Sequence, residues 1–210
     1  MYVIVGCNHW IGYHLANKLL DEGSSVIGLD SDKAQEQQDL VLFFGRNSAF
    51  EHVQSVTELY KQHKKEKFEA IFQLFQVDNK KQFEKFDAKK WFQLQIEDSI
   101  DQAKQVELPL LYGEWMPREK DGFYKSETFY SFSSKEFQRD GVYIGDFVEA
   151  LIQLSKSNHA QETISFKPLR KDVQPNREEK NTIYIRESLP LEQRFKKLQQ
   201  HYKQFSSLYP

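Results

Sequence analysis

One cysteine, Cys7, is all the chain contains. That excludes an intramolecular disulfide framework and a thiolate-rich zinc site, and it fits a reducing, cytoplasmic setting. An excess of charge of one sign is missing too: 29 basic residues face 31 acidic ones, for a formal net charge of −2. Such a balance offers no basic surface, so neither nucleic acid nor a membrane is expected as a partner. No apolar run reads as a membrane span. Residues 1–17 lack Asp, Glu, Lys and Arg, but Gly6, Asn8, His9, Gly12 and His14 interrupt them. There is no basic start and no small-residue cleavage site, so this stretch reads as the first structural elements rather than a signal peptide. Internal repeats are absent. Hydrophobic residues reach only 39% and mean hydropathy is −0.70. Yet 17 Phe, 10 Tyr and 3 Trp supply enough large apolar surface for a core, which excludes wholesale disorder. A chain of 210 residues suits one domain, or a core with a small appendage.

What is present is an alternation of strand and helix signals. Tyr2-Val3-Ile4-Val5 is a short β-branched run closed by Gly6, the pattern of a strand buried on both faces. Ile11, Leu15, Leu19 and Leu20 follow at helical spacing, and Gly23 stands where a helix C-terminal cap belongs. Residues 25–30 read as a second strand. Strand, helix and strand in so few residues make a βαβ unit, and the crossover helix implies a parallel sheet. Further strands are expected at 40–44, 68–75 and 107–112, and helices at 49–64 and 79–105. Residues 114–138 read as an aromatic, loop-like stretch. Beyond them lie a short strand at 142–144, a helix at 146–156, strands at 163–166 and 182–185, a loop at 167–181 and a terminal helix at 191–205. The fold class is α/β: a Rossmann-like doubly wound parallel sheet, shortened, with a small C-terminal lobe. Residues 1–113 form the nucleotide-binding core and 114–210 the lobe packed on it.

The first turn runs Val5-Gly6-Cys7-Asn8-His9-Trp10-Ile11-Gly12. A turn that receives a pyrophosphate needs glycine to bend sharply, to let backbone approach the phosphates, and to bring helix and strand close. Gly6 and Gly12 serve the first and last purposes; His9 stands at the middle position, where its side chain crowds the phosphates. The candidate cofactor-binding residues are Gly6, Asn8, His9, Trp10, Ile11, Gly12 and Asp30. Asp30 has two readings, a carboxylate for the hydroxyls of an adenosine ribose or the N-cap of a following helix.

These residues resemble the extended short-chain dehydrogenase/reductase family, the NAD-dependent epimerase/dehydratases of nucleotide sugars. Trp10-Ile11-Gly12-Tyr13-His14-Leu15 is similar to the family's F-I-G-x-H-L. Leu111-Tyr112-Gly113-Glu114-Trp115-Met116-Pro117 is similar to its Y-G-P segment, and residues 139–151 are similar to R-D-F-V-Y-V-x-D-V-A-x-A-L. The resemblance implies NAD as cofactor, a dinucleotide or nucleotide sugar as small-molecule partner, and a homodimer.

The family's Tyr-x-x-x-Lys catalytic pair is missing from its expected place. Tyr60-Lys61-Gln62-His63-Lys64 matches the letters but precedes the fourth strand. Phe86-Asp87-Ala88-Lys89-Lys90 matches the position but offers phenylalanine, which has no proton to exchange. Lys90, Tyr112 and Tyr124 are the remaining catalytic candidates, with Lys90 more readily read as an exposed lysine on a polar helix face. No metal site is expected, since the six histidines form no ligand spacing. Residues 77–106 should form one long helix, which implies that a helix–strand pair is deleted and the sheet narrowed. The function expected is therefore that of a degenerate family member that binds, senses or assembles. The alternative is an active NAD-dependent nucleotide-sugar epimerase/dehydratase with an unusual acid/base.

Overall fold

The computed structural model describes residues 1–30, 40–77, 79–95, 100–125, 127–170, 179 and 181–209. Strand β1 (Tyr2–Val5), helix α1 (Trp10–Asp21) and strand β2 (Val26–Leu29) form the expected βαβ start. Every residue of β1 and β2 is buried, as parallel strands covered on both faces must be. Gly23, at φ +76, ends α1 and returns its amide to the Leu20 carbonyl.

Residues 40–44 are a 3-10 turn, Leu40–Phe44, not the strand their apolar run predicts. Leu42 and Phe43 face solvent while Leu40 and Phe44 are buried, and the Phe44 ring stacks on Tyr13 of α1 at 4.9 Å. The third strand is instead β3 (Phe50–Val53), which occupies what was expected to be the start of a helix and pairs in parallel with β2. That helix, α2, is confined to Val56–His63; Ser55 caps it by accepting from the Glu58 amide at 3.1 Å.

A second correction concerns residues 77–106, which do not form one helix. Strands β4 (Lys67–Phe68) and β5 (Ala70–Gln73) are followed by α3 (Lys80–Phe83), a single turn. Strands β6 (Asp87–Ala88), β7 (Trp91–Leu94) and β8 (Lys104–Glu107) come next. The Trp-Phe-Gln-Leu run of β7 has no β-branched residue; aromatic side chains carry its strand preference. Phe83, Phe86 and Trp91 bury into one cluster with Phe68 and Ile71, which a continuous helix would splay apart.

In the second half, the expected strand at 107–112 divides at Pro109, leaving β9 (Leu110–Tyr112). The aromatic stretch forms a hairpin, β10 (Gly122–Lys125) and β11 (Thr128–Ser131), followed by helix α4 (Lys135–Asp140). Strand β12 (Gly141–Tyr143), helix α5 (Ile144–Lys156), strands β13 (Thr163–Pro168) and β14 (Thr182–Ile185) and helix α6 (Leu191–Gln204) lie close to their expected places. Most of the expected loop at 167–181 lies outside the described residues.

Among the described residues the main sheet has eight strands, in the order β14-β13-β8-β7-β5-β1-β2-β3. The doubly wound parallel sheet is present, and residues 77–106, expected as one long helix, contribute β7 and β8 to it. The chain divides into two compact units, residues 1–107 with 151–164, and residues 108–150 with 165–210. The first holds strands β1 to β8 with α1 to α3. The second is built around aromatic packing, in which Tyr112, Phe132, Phe137 and Phe195 meet ring to ring.

Candidate functional site

Strands β1, β2 and β3 step one way across the sheet, whereas β5, β7 and β8 step the other. Open α/β sheets bind ligands beyond the C-terminal strand ends at such a reversal, because the loops diverge there. The residues at this point are the turn after β1 and Leu74-Phe75 after β5. Gly6 has φ +95, a conformation that side-chain-bearing residues rarely adopt, and its amide donates to the Leu29 carbonyl at 2.8 Å. A Cβ at Gly12 would lie 2.0 Å from the Gly6 carbonyl oxygen, so only glycine lets α1 approach the turn this closely.

His9 stands at the N-cap of α1 with extended backbone, and its Nδ1 accepts from the Ile11 amide at 3.4 Å. The amides of a helix N-terminus are where phosphate groups bind; here an imidazole takes one of them. The ring meets Phe75 edge-on at 5.3 Å, and the Phe75 ring covers the face of Gly6 where a Cβ would project. Burial pushes His9 down to about 4, against the pull of the Asp30 charge, so the ring is neutral and Nδ1 is free to accept. Trp10 and Ile11 are buried side chains. Asn8 accepts from the Val41 amide through Oδ1 at 3.3 Å, and its own amide donates to Asp30 Oδ1 at 3.2 Å.

Asp30, at the end of β2, is buried, and its carboxylate is already engaged. The Cys7 thiol donates to Oδ2 at 2.7 Å, and His52 Nε2 lies 3.0 Å from the same oxygen. Its other expected role, capping a following helix, concerns residues 31–39, outside the described residues. Burial first, and then the charge of Asp30, push the Cys7 thiol well above its ordinary range. It is a hydrogen-bond donor here, not an activated nucleophile. Sequence reading passed over His52, whose place depends on β2–β3 register, which sets it opposite Gly28.

Each of the three catalytic candidates has its own surroundings. Lys90 Nζ donates to the Ser155 carbonyl at 2.7 Å and to that of Ser157, which caps the C-terminal end of α5 with a cation. Tyr112 is fully buried among Phe137, Tyr143 and Phe195, and its hydroxyl has no hydrogen-bond partner among the described residues. Desolvation pushes its pKa upward. Tyr124 is 61% exposed on the hairpin. Phe86 lies in the core, with its ring against those of Tyr60 and Phe68.

One further polar array runs across the sheet. Gln73, Gln93 and Gln105 are cross-strand neighbours on β5, β7 and β8. Gln93 Nε2 donates to Gln73 Oε1 at 3.0 Å, and Gln93 Oε1 accepts from Gln105 Nε2 at 2.7 Å and from the Ile100 amide at 2.9 Å.

No family model matches the sequence, and no curated protein matches it. Solved structures do match. The dTDP-glucose 4,6-dehydratase of Bacillus anthracis, solved with NAD, superposes with a TM-score of 0.65 at 10% identity, over 99% of this chain and 98% of that one. The UDP-glucose 4-epimerase of Thermotoga maritima, solved with UDP-glucose, gives 0.59 at 13% identity, over 97% and 99%. The enzyme WbmG of Bordetella bronchiseptica, solved with NAD and UDP, gives 0.59 at 10% identity, over 97% and 95%. At such identities the likeness is one of fold alone: the chain shares the α/β fold of these three enzymes.

Proposed function

We propose that this chain is a degenerate NAD-dependent epimerase/dehydratase that binds a dinucleotide or nucleotide sugar weakly and has lost tyrosine-dependent redox chemistry. It acts by binding, sensing or assembly. The observation that carries this reading is the region between β5 and β9. No tyrosine occurs between Tyr60 and Tyr112, and only residues 95–103 connect β7 to β8. That is too short for a crossover helix bearing a tyrosine and a lysine.

The frame of the first turn fits NAD: Gly6 bends the chain, Gly12 admits the helix, and Asp30 ends β2 where ribose hydroxyls would be met. Three features weigh against tight binding. His9 caps the helix N-terminus, Phe75 covers Gly6, and Asp30 is held by Cys7, Asn8 and His52. If NAD binds, the His9 ring must swing away and Asp30 must exchange partners. NAD itself would supply hydride chemistry, but the turn contributes only binding and orientation.

Calorimetric titration tests the binding half. Wild type should bind NAD weakly, and His9→Gly should bind at least several-fold more tightly, because the ring leaves the amides and glycine costs only a few tenths of a kcal/mol as a cap. No heat from either protein at millimolar NAD would overturn it. Turnover assays with UDP- and dTDP-sugars test the other half: product formation by wild type would show that the chemistry survives.

A further inference from the structure

Three unlike donors converge beside the first turn: the Cys7 thiol, the Asp30 carboxylate and the His52 imidazole, all within 4.8 Å of one another. They come from the turn after β1, the end of β2 and the middle of β3. Gly28 on β2 makes the convergence possible: a Cβ there would lie 2.2 Å from Cys7 Sγ, and His52 is its register partner on β3. The Asn8 amide holds Asp30 Oδ1, leaving Oδ2 facing both Cys7 and His52. Among the described residues no lysine or arginine pairs with Asp30, so the buried carboxylate has no fixed cation. The His52 side chain is 30% exposed, which gives the cluster an opening to solvent.

We propose that Cys7, Asp30 and His52 bind one zinc(II) ion, with water as the fourth ligand. Sulfur, imidazole and a single carboxylate match zinc, whereas magnesium and calcium select oxygen alone. Bonds of about 2.0–2.3 Å in a tetrahedral site set donors roughly 3.2–3.7 Å apart, so the present cluster needs only small side-chain adjustments. Zinc takes the thiol as thiolate, and the thiol proton leaves to solvent. The ion occupies the carboxylate that a dinucleotide ribose would use, so the site replaces that function of Asp30. Zinc and a dinucleotide ribose would compete for this carboxylate, so zinc is titrated without NAD.

The full chain, freed of metal, is titrated with zinc by calorimetry, and cobalt(II) is added separately. Wild type should take up one zinc per chain, and cobalt should produce a sulfur-to-metal charge-transfer band. His52→Ala and Cys7→Ser should each weaken zinc at least tenfold, with the band lost in Cys7→Ser. His63, paired with Glu51 at 3.1 Å, offers a control histidine, and His63→Ala should retain wild-type affinity. Circular dichroism verifies that the variants fold, and the cobalt band in wild type needs no variant. Absence of stoichiometric zinc, a cobalt complex without the sulfur band, or equal loss in His63→Ala would overturn the site.

Discussion

His9 is where the chain departs most from a dinucleotide turn. It supplies the helix cap that Ser, Thr, Asp or Asn would ordinarily supply, but through a bulky ring whose charge burial forbids. Unfolded, the ring takes a proton near 6.5; folded, only near 4. Its folded pKa is depressed, so its contribution to stability is complete above 6.5 and is lost as pH falls toward 4. Between those limits the melting temperature of wild type should fall more steeply than that of His9→Asn, which keeps a cap and removes the titration. Parallel slopes would mean that the ring is solvated. Gly12 makes a second demand. Gly12→Ala places a methyl group against the Gly6 carbonyl, a backbone atom with nowhere to go. Denaturant unfolding should show a loss of about 1–3 kcal/mol, the usual cost of overpacking.

The glutamine array is the feature of interest among the elements. Parallel strands at the centre of a sheet are usually lined with Val, Ile and Leu, yet β5, β7 and β8 each place a glutamine in the same row. Buried amides are tolerated there because each finds partners; Gln73 Nε2 also donates to the Phe75 carbonyl at 2.9 Å. Gln93 is the hub, being 1% exposed and bonded to Gln73, Gln105 and the Ile100 amide. Gln93→Leu keeps the volume and strands those partners. A loss of about 1–3 kcal/mol for each buried group left unpaired is expected from urea unfolding. A variant as stable as wild type would show that water replaces the amide.

At the scale of the whole molecule, the first unit is discontinuous in sequence. Residues 1–107 carry most of it, and residues 151–164 complete it. The later segment supplies the carbonyls that hold two lysines. Lys90 reaches Ser155 and Ser157, and Lys104 reaches His159 and Gln161 at 2.7 and 2.8 Å. It also supplies the Glu162 carbonyl that accepts from the Gln105 amide. A fragment of residues 1–107 should therefore lack a cooperative melting transition, because two cations and a sheet edge lose their partners. A sharp transition, followed by circular dichroism, would show that the early strands suffice. Among the described residues no helix is long and apolar enough to cross a membrane.

Local chemistry made the start of the fold legible. The β-branched run of β1, the helical spacing of α1, the glycine that ends it, and the terminal strand β14 depend on neighbours close in sequence, where propensity and periodicity act. The same reasoning failed where burial by distant residues prevailed. Leu40–Phe44 looks like a strand, but Tyr13 holds it as a turn, and β7 carries no β-branched signal because its aromatic residues are fixed by the core around Phe83. The absence of any tyrosine between Tyr60 and Tyr112 could be read from the letters alone. The meeting of Cys7, Asp30 and His52 could not: it arises only when three parallel strands lie side by side in register, and no spacing along the chain encodes that register.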